Sequence, residues 1–120
     1  MADSANVRKQ LGRRLGRRIA EQRKAIDWTQ EQLAERLQID AETVSRFERG
    51  VTLPSLITLN RLAKALRLRT AELLSDASIE PSDQAVRISA WLADLTPKDR
   101  DFLVDQIKRT CEQLRRRNMP

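Results

Sequence analysis

Histidine is absent from the 120 residues, and cysteine occurs once, at Cys111. Without imidazole the chain lacks the commonest general base and the commonest metal ligand. One thiol permits neither an internal disulfide nor a cysteine-built zinc site. The three glycines stand apart at Gly12, Gly16 and Gly50, so no glycine-rich loop is available to cradle a phosphate. These absences argue against an enzyme: no catalytic residue, no metal and no cofactor is expected. No apolar run approaches the length of about 18 residues that a membrane-spanning helix needs. The pairs Arg13-Arg14 and Arg17-Arg18 precede no apolar export segment. The expected compartment is therefore a reducing cytoplasm, with no membrane partner.

What is present favours helix. Aromatics make up only 3% and charged residues 33%, and Leu, Ala, Arg, Glu and Gln, all good helix formers, dominate. An all-α fold is expected. The formal net charge is +6, which suits an anionic partner such as nucleic acid. The charge is unevenly spread. Residues 1–26 carry +6, residues 27–50 carry −3, residues 51–74 carry +3, and residues 75–120 are balanced.

Residues 1–6 read as a short flexible tail. From Val7, Leu11, Leu15, Ile19 and Ile26 recur at helical spacing, predicting a first helix that ends near Ile26. The repeated LGRR within it is a local echo too short for a structural repeat. Thr29 and Gln32 form a capping box at the start of a second helix, with Trp28 and Leu33 as its hydrophobic staple. That helix buries Leu33, Ala34 and Leu37. After the tight turn Gln38-Ile39-Asp40, Asp40 caps a third helix that buries Val44 and Phe47 and stops at Gly50, which suits a left-handed terminus. A fourth helix after Ser55 carries Leu56, Leu59, Leu62, Ala63 and Leu66 on one face; a fifth begins at Thr70 and buries Leu73 and Leu74. The polar run from Ser75 to Pro81 reads as a domain boundary. Ser82 caps a sixth helix, and Thr96-Pro97 opens a seventh.

Two short helices joined by a three-residue turn make a helix-turn-helix, here TQEQLAERLQIDAETVSRFERG at residues 29–50. Taken on packing alone, the same corner could be purely structural. The segment resembles the Xre-like family, of Cro and phage-repressor type, over roughly residues 11–74. The resemblance is carried by Arg23, Thr29-Gln30, Leu33-Ala34, Ser45-Arg46-Phe47-Glu48-Arg49-Gly50, Pro54 and LNRLAKAL at 59–66. It implies a five-helix lambda-repressor-like DNA-binding domain over residues 7–75, with two further helices over 82–116.

In this family the third helix lies in the major groove. The implied base-reading residues are Ala41, Glu42, Thr43, Ser45 and Arg46. Their chemistry fits: Arg46 offers a bidentate fork to guanine, Glu42 accepts from cytosine N4, and Ala41 and the Thr43 methyl suit a thymine methyl. Helix solubility is an equally plain account of Glu42. Gln30 matches the family's phosphate-gripping glutamine at the start of helix two. Arg49, Thr52, Ser55, Arg13 and Arg17 are further phosphate candidates, although Arg49 reads equally as a solvated charge. Arg23 and Glu48 match a pair that forms a buried salt bridge in the family. The acidic balance of residues 27–50 implies that Asp27, Glu31 and Glu35 face away from DNA. Attraction would then come from Arg8, Lys9, Arg13, Arg14, Arg17 and Arg18, with Arg61 and Lys64.

Family members bind palindromes as twofold dimers. The unit at 82–116 is too small for a ligand-sensing domain with a drug-sized pocket. Val104, Ile107, Cys111 and Leu114 follow a 3-4-3 spacing like a coiled-coil seam. With Trp91 they form the expected homodimer interface; packing of both helices back onto the domain is the alternative. The resulting expectation is a bacterial transcription regulator, a repressor on a palindromic operator in double-stranded DNA. A second reading is the antitoxin of a toxin–antitoxin pair that also represses its own operon, with a toxin protein as partner.

Overall fold

The computed structural model describes residues 2–120, with side chains from Ser4 onward. Its described residues form seven helices and no strand: α1 (Ala2–Ala25), α2 (Gln30–Leu37), α3 (Ala41–Glu48), α4 (Leu56–Ala65), α5 (Thr70–Ala77), α6 (Pro81–Ala93) and α7 (Pro97–Arg117). The all-α expectation holds. The chain divides into two compact units, one ending at Gln84 and the other beginning at Ala85.

In the first unit, α1 packs against α3 and α5, α2 against α3 and α4, and α4 against α5. Leu15, Ile19, Leu33, Leu37, Val44, Phe47, Leu59, Leu62, Leu66 and Leu73 fill the shared core. Two expected core residues are absent from it. Leu56, the first residue of α4, is 74% exposed, and the core begins one turn later at Leu59. Leu74 is also exposed, because adjacent residues on a helix point about 100° apart and Leu73 already takes the inward position.

Helix boundaries differ from the sequence reading in three places. The expected tail is helical from Ala2, while Met1 lies outside the described residues. Helix α5 runs to the buried Ala77, three residues into the polar run. Helix α6 begins at Pro81 rather than after a Ser82 cap; proline fits this first position because its missing N–H has no helical partner there.

The caps explain why these short helices form. Thr29 Oγ1 accepts from Gln32 N at 3.1 Å, and Gln32 Oε1 accepts from Thr29 N at 2.8 Å. Asp40 occupies the N-cap of α3, but its carboxylate accepts from the Thr43 hydroxyl instead of a backbone N–H. At the other end of α3, Gly50 adopts φ 72°, its N–H donating to Phe47 O at 3.1 Å while Val51 N–H reaches Arg46 O at 3.0 Å. This is a Schellman termination. The same left-handed stop recurs at Asp27, Gln38 and Arg67, none of them glycine. In each case the next residue, Trp28, Ile39 or Leu68, packs on the core.

The helix-turn-helix is fastened to α1 by two devices. Arg23 Nε and Nη2 donate to the two Glu48 oxygens at 2.7 and 3.0 Å, and Nη1 donates to Trp28 O at 2.8 Å. Gln30 Nε2 adds a bond to Glu48 Oε1 at 2.9 Å. One turn pair earlier on α1, Gly16 lies against the backbone of Phe47 and Glu48 at the end of α3.

Candidate nucleic-acid interface

A two-turn helix held by Val44 and Phe47 has a defined outer face. At 100° per residue, Glu42, Arg46 and Arg49 point opposite that buried pair, with Ser45 beside them. All three charged side chains are more than half exposed. Ala41 and Thr43 lie at the edges of this face and are partly buried. Thr43 is further turned aside by its 3.1 Å bond to Asp40.

The polar members of this face are engaged with one another. Glu42 Oε1 lies 3.1 Å from Arg49 Nη2 and 3.5 Å from Arg46 Nε. Arg49 Nε donates to Ser45 Oγ at 3.2 Å. Base and phosphate roles taken one residue at a time from the sequence do not disclose this network. The spacing of Glu42, Arg46 and Arg49 at i, i+4 and i+7 is the signal that would have shown it.

Of the phosphate candidates, Arg13 and Arg17 share one face of α1, exposed and without an ion pair among the described residues. Gln30 gives one amide hydrogen to Glu48, leaving the other free. Ser55 caps α4, accepting from Thr58 N at 3.2 Å, and Thr52 is exposed in the α3–α4 loop.

Three basic residues expected to supply attraction have structural partners instead. Arg14 donates to the Ala77 and Ser78 carbonyls at 2.9 and 3.1 Å. Arg18 pairs with Asp76 at 2.6 Å. Arg61 donates to Leu37 O at 2.6 Å. The physical reason is shared by Arg14 and Arg61: the last carbonyls of a helix lack intrahelical partners and carry the negative end of its dipole, so nearby guanidinium groups are drawn to them. Arg8, Lys9, Arg13, Arg17 and Lys64 remain on the surface. Asp27, Glu31 and Glu35 are likewise exposed.

In the second unit, Trp91, Val104, Ile107, Cys111 and Leu114 are all exposed. Neither α6 nor α7 buries a single side chain. Among the described residues no cluster of three or more metal-ligating side chains occurs, and no helix is long and apolar enough to cross a membrane.

Comparison with known proteins agrees with this geometry. A family model described as helix-turn-helix matches residues 19–73. An uncharacterised HTH-type transcriptional regulator of Methanothermobacter thermautotrophicus is 46% identical over 48 residues, covering 40% of this chain and 70% of that protein. The cryptic phage CTXphi transcriptional repressor RstR of Vibrio cholerae is 39% identical over 56 residues, or 47% of this chain and 50% of that one. Among solved structures, the restriction-modification controller protein C.AhdI from Aeromonas hydrophila superposes with a TM-score of 0.51 at 35% identity, covering 55% of this chain and 94% of that chain. Regulators of this kind bind DNA and are not enzymes. The chain belongs to the Xre-like, Cro and phage-repressor type, helix-turn-helix family of transcriptional regulators.

Proposed function

We propose that the protein is a sequence-specific repressor that binds a palindromic operator as a homodimer, placing one α3 from each copy in the major groove. The observation that carries this reading is the outer face of α3, where Arg46 stands exposed on a helix whose opposite side is locked into the core. An exposed guanidinium on such a helix suits a bidentate contact with guanine, and the Ala41 and Thr43 methyl groups suit thymine. Gln30, Arg49, Thr52 and Ser55 flank that helix and serve the phosphates, with Arg13 and Arg17 on α1. The Vibrio relative's name as a repressor supports the sign of regulation. DNA binding is assigned to the N-terminal unit and dimerisation to α6 and α7.

Base and phosphate contacts separate in a binding experiment. Arg46→Ala should cost about 1–3 kcal/mol on the cognate duplex and relax preference at one base position per half-site. Arg13→Ala or Arg17→Ala should weaken cognate and scrambled duplexes alike and reduce the salt slope by roughly 0.9 each, since a phosphate contact releases counterions without reading bases. The measurement is affinity on both duplexes at several salt concentrations. Equal losses on both for Arg46→Ala would remove α3 from the reading role.

The case for the dimer is energetic. A helix of 13 residues such as α6 is marginal alone in water, and most helical stability in proteins comes from packing an apolar face. Trp91 at 62% exposure and Val104 at 52% leave such a face open on the single chain. The balanced charge of residues 75–120 sets up no repulsion against a second copy. The 3-4-3 spacing of Val104, Ile107, Cys111 and Leu114 matches a helix seam. Ile107→Glu should convert a sedimenting dimer to monomer while leaving the melting of the N-terminal unit unchanged. Dimerisation as tight as that of the unaltered chain would place the interface elsewhere.

A further inference from the structure

We infer that Glu42 is a specificity-determining residue that works by repulsion, restraining Arg46 and Arg49 in the free protein and penalising every duplex that offers its carboxylate no donor. The inference rests on the reading of α3 as the groove-binding helix and specifies how that helix discriminates.

The geometry supplies both halves of the device. One carboxylate oxygen of Glu42 serves two guanidinium groups, Arg49 Nη2 at 3.1 Å and Arg46 Nε at 3.5 Å. Arg49 is held a second time, through Nε, by Ser45 Oγ at 3.2 Å. Arg46 Nε and the Nε and Nη2 groups of Arg49 are therefore engaged before DNA arrives. The carboxylate and both guanidiniums are exposed, at 55–62% of the side chain. Ion pairs this open to water are weak and exchange partners readily, so the clamp restrains the arginines without trapping them.

Exchange has a consequence specific to a carboxylate. When Arg46 turns to a base edge or Arg49 to a phosphate, Glu42 loses its partners while facing the negative potential of the duplex. A cytosine N4 amino group at the matching position supplies a new donor. The adenine N6 amino group can do the same, whereas thymine, whose groove edge offers an acceptor and a methyl, supplies none, and guanine presents only acceptors there. Glu42 thus penalises the wrong sequences more than the right one, which is how an uncompensated charge creates a difference in affinity. The net −3 of residues 27–50 then has a function at this position.

Glu42→Gln tests the inference, with Glu42→Asp as the charge-conserving control. Side chains this exposed bear little of the fold, and the melting temperature of each variant checks that. Glu42→Gln should raise affinity for scrambled duplex about tenfold, because a like-charge contact with DNA has been removed. Its salt dependence on scrambled duplex should steepen by roughly 0.9, because one released guanidinium gains a phosphate. The ratio of cognate to scrambled affinity should fall accordingly. Glu42→Asp, which keeps the negative charge, should raise scrambled affinity by much less than Glu42→Gln does. Scrambled affinity and salt slope unchanged by Glu42→Gln, or raised equally by Glu42→Asp, would overturn the inference while the groove-binding role of α3 stands. If the unaltered chain and both variants all fail to bind duplex DNA, the groove-binding role fails and Glu42 falls with it.

Discussion

An Arg23→Ala chain is expected to melt roughly 10 °C or more below the unaltered protein, a loss of about 3–5 kcal/mol. Arg23 and Glu48 side chains are 10% and 6% exposed, and their bidentate pair closes α1 onto the end of α3. Removing the guanidinium strands a buried carboxylate with Gln30 Nε2 as its remaining hydrogen-bond donor, and it also frees the Trp28 carbonyl that Arg23 Nη1 satisfies. A pair of buried charges is not in itself strongly stabilising, because its desolvation offsets its attraction. The large effect comes from breaking one side only. Arg23→Met combined with Glu48→Leu should therefore recover part of the loss, and less than all of it, since Trp28 and Gln30 still lack their partners. Thermal unfolding of the two single variants and the double variant checks this. A single variant that melts with the unaltered protein would contradict it.

Gly16→Ala is the second substitution with a large expected effect. A Cβ at Gly16 would lie 2.3 Å from Phe47 O, 2.5 Å from Glu48 O and 2.8 Å from the Glu48 carbonyl carbon. All three are backbone atoms, so no flexible side chain can yield and α1 must separate from α3. Alanine is the better helix former by about 1 kcal/mol, but overpacking a tight contact typically costs about 1–3 kcal/mol and sometimes more. With no side chain to relax, the upper end applies, and a net loss of about 2 kcal/mol or more is expected. Gly12→Ala is the control. Its Cβ would meet Gly50 O at 3.2 Å and the Leu53 side chain at 3.4 Å, so its helix gain roughly balances its crowding. Melting curves in which Gly16→Ala is no less stable than Gly12→Ala would refute the close crossing of α1 and α3.

The contrast between these glycines shows where the sequence was legible. LGRRLGRR reads as an echo, because nothing along the chain says that residue 47 will arrive opposite residue 16. Local signals fared better. Thr29 with Gln32 marks the start of α2, and Gly50 marks the end of α3, because capping involves residues three to five positions apart. The left-handed stops at Asp27, Gln38 and Arg67 carry no mark in the sequence because glycine is the usual marker. Their cause is the apolar residue that follows each, drawn onto a core formed by distant helices. Arg14, Arg18 and Arg61 look like surface cations in the sequence for the same reason. The carbonyls and carboxylate that hold them lie 63, 58 and 24 residues away in sequence. Arg23 and Glu48 are equally remote, at 25 residues, and were paired only through the family resemblance. In the reading face, the residues were placed from that resemblance, whereas the ion network among Glu42, Arg46 and Arg49 emerges from their positions on one helix face.

That face is the centre of the account, and recovery of bound fragments from a random pool of duplex DNA tests it most directly. The dimer should enrich a palindrome whose half-site centres lie about 34 Å apart, one helical turn, because a twofold pair presents its two recognition helices at that spacing. The same selection with Arg46→Ala should lose one base preference in each half-site. Enrichment of no sequence at low salt, or an identical motif recovered by Arg46→Ala, would contradict the assignment of α3 as the helix that reads the operator.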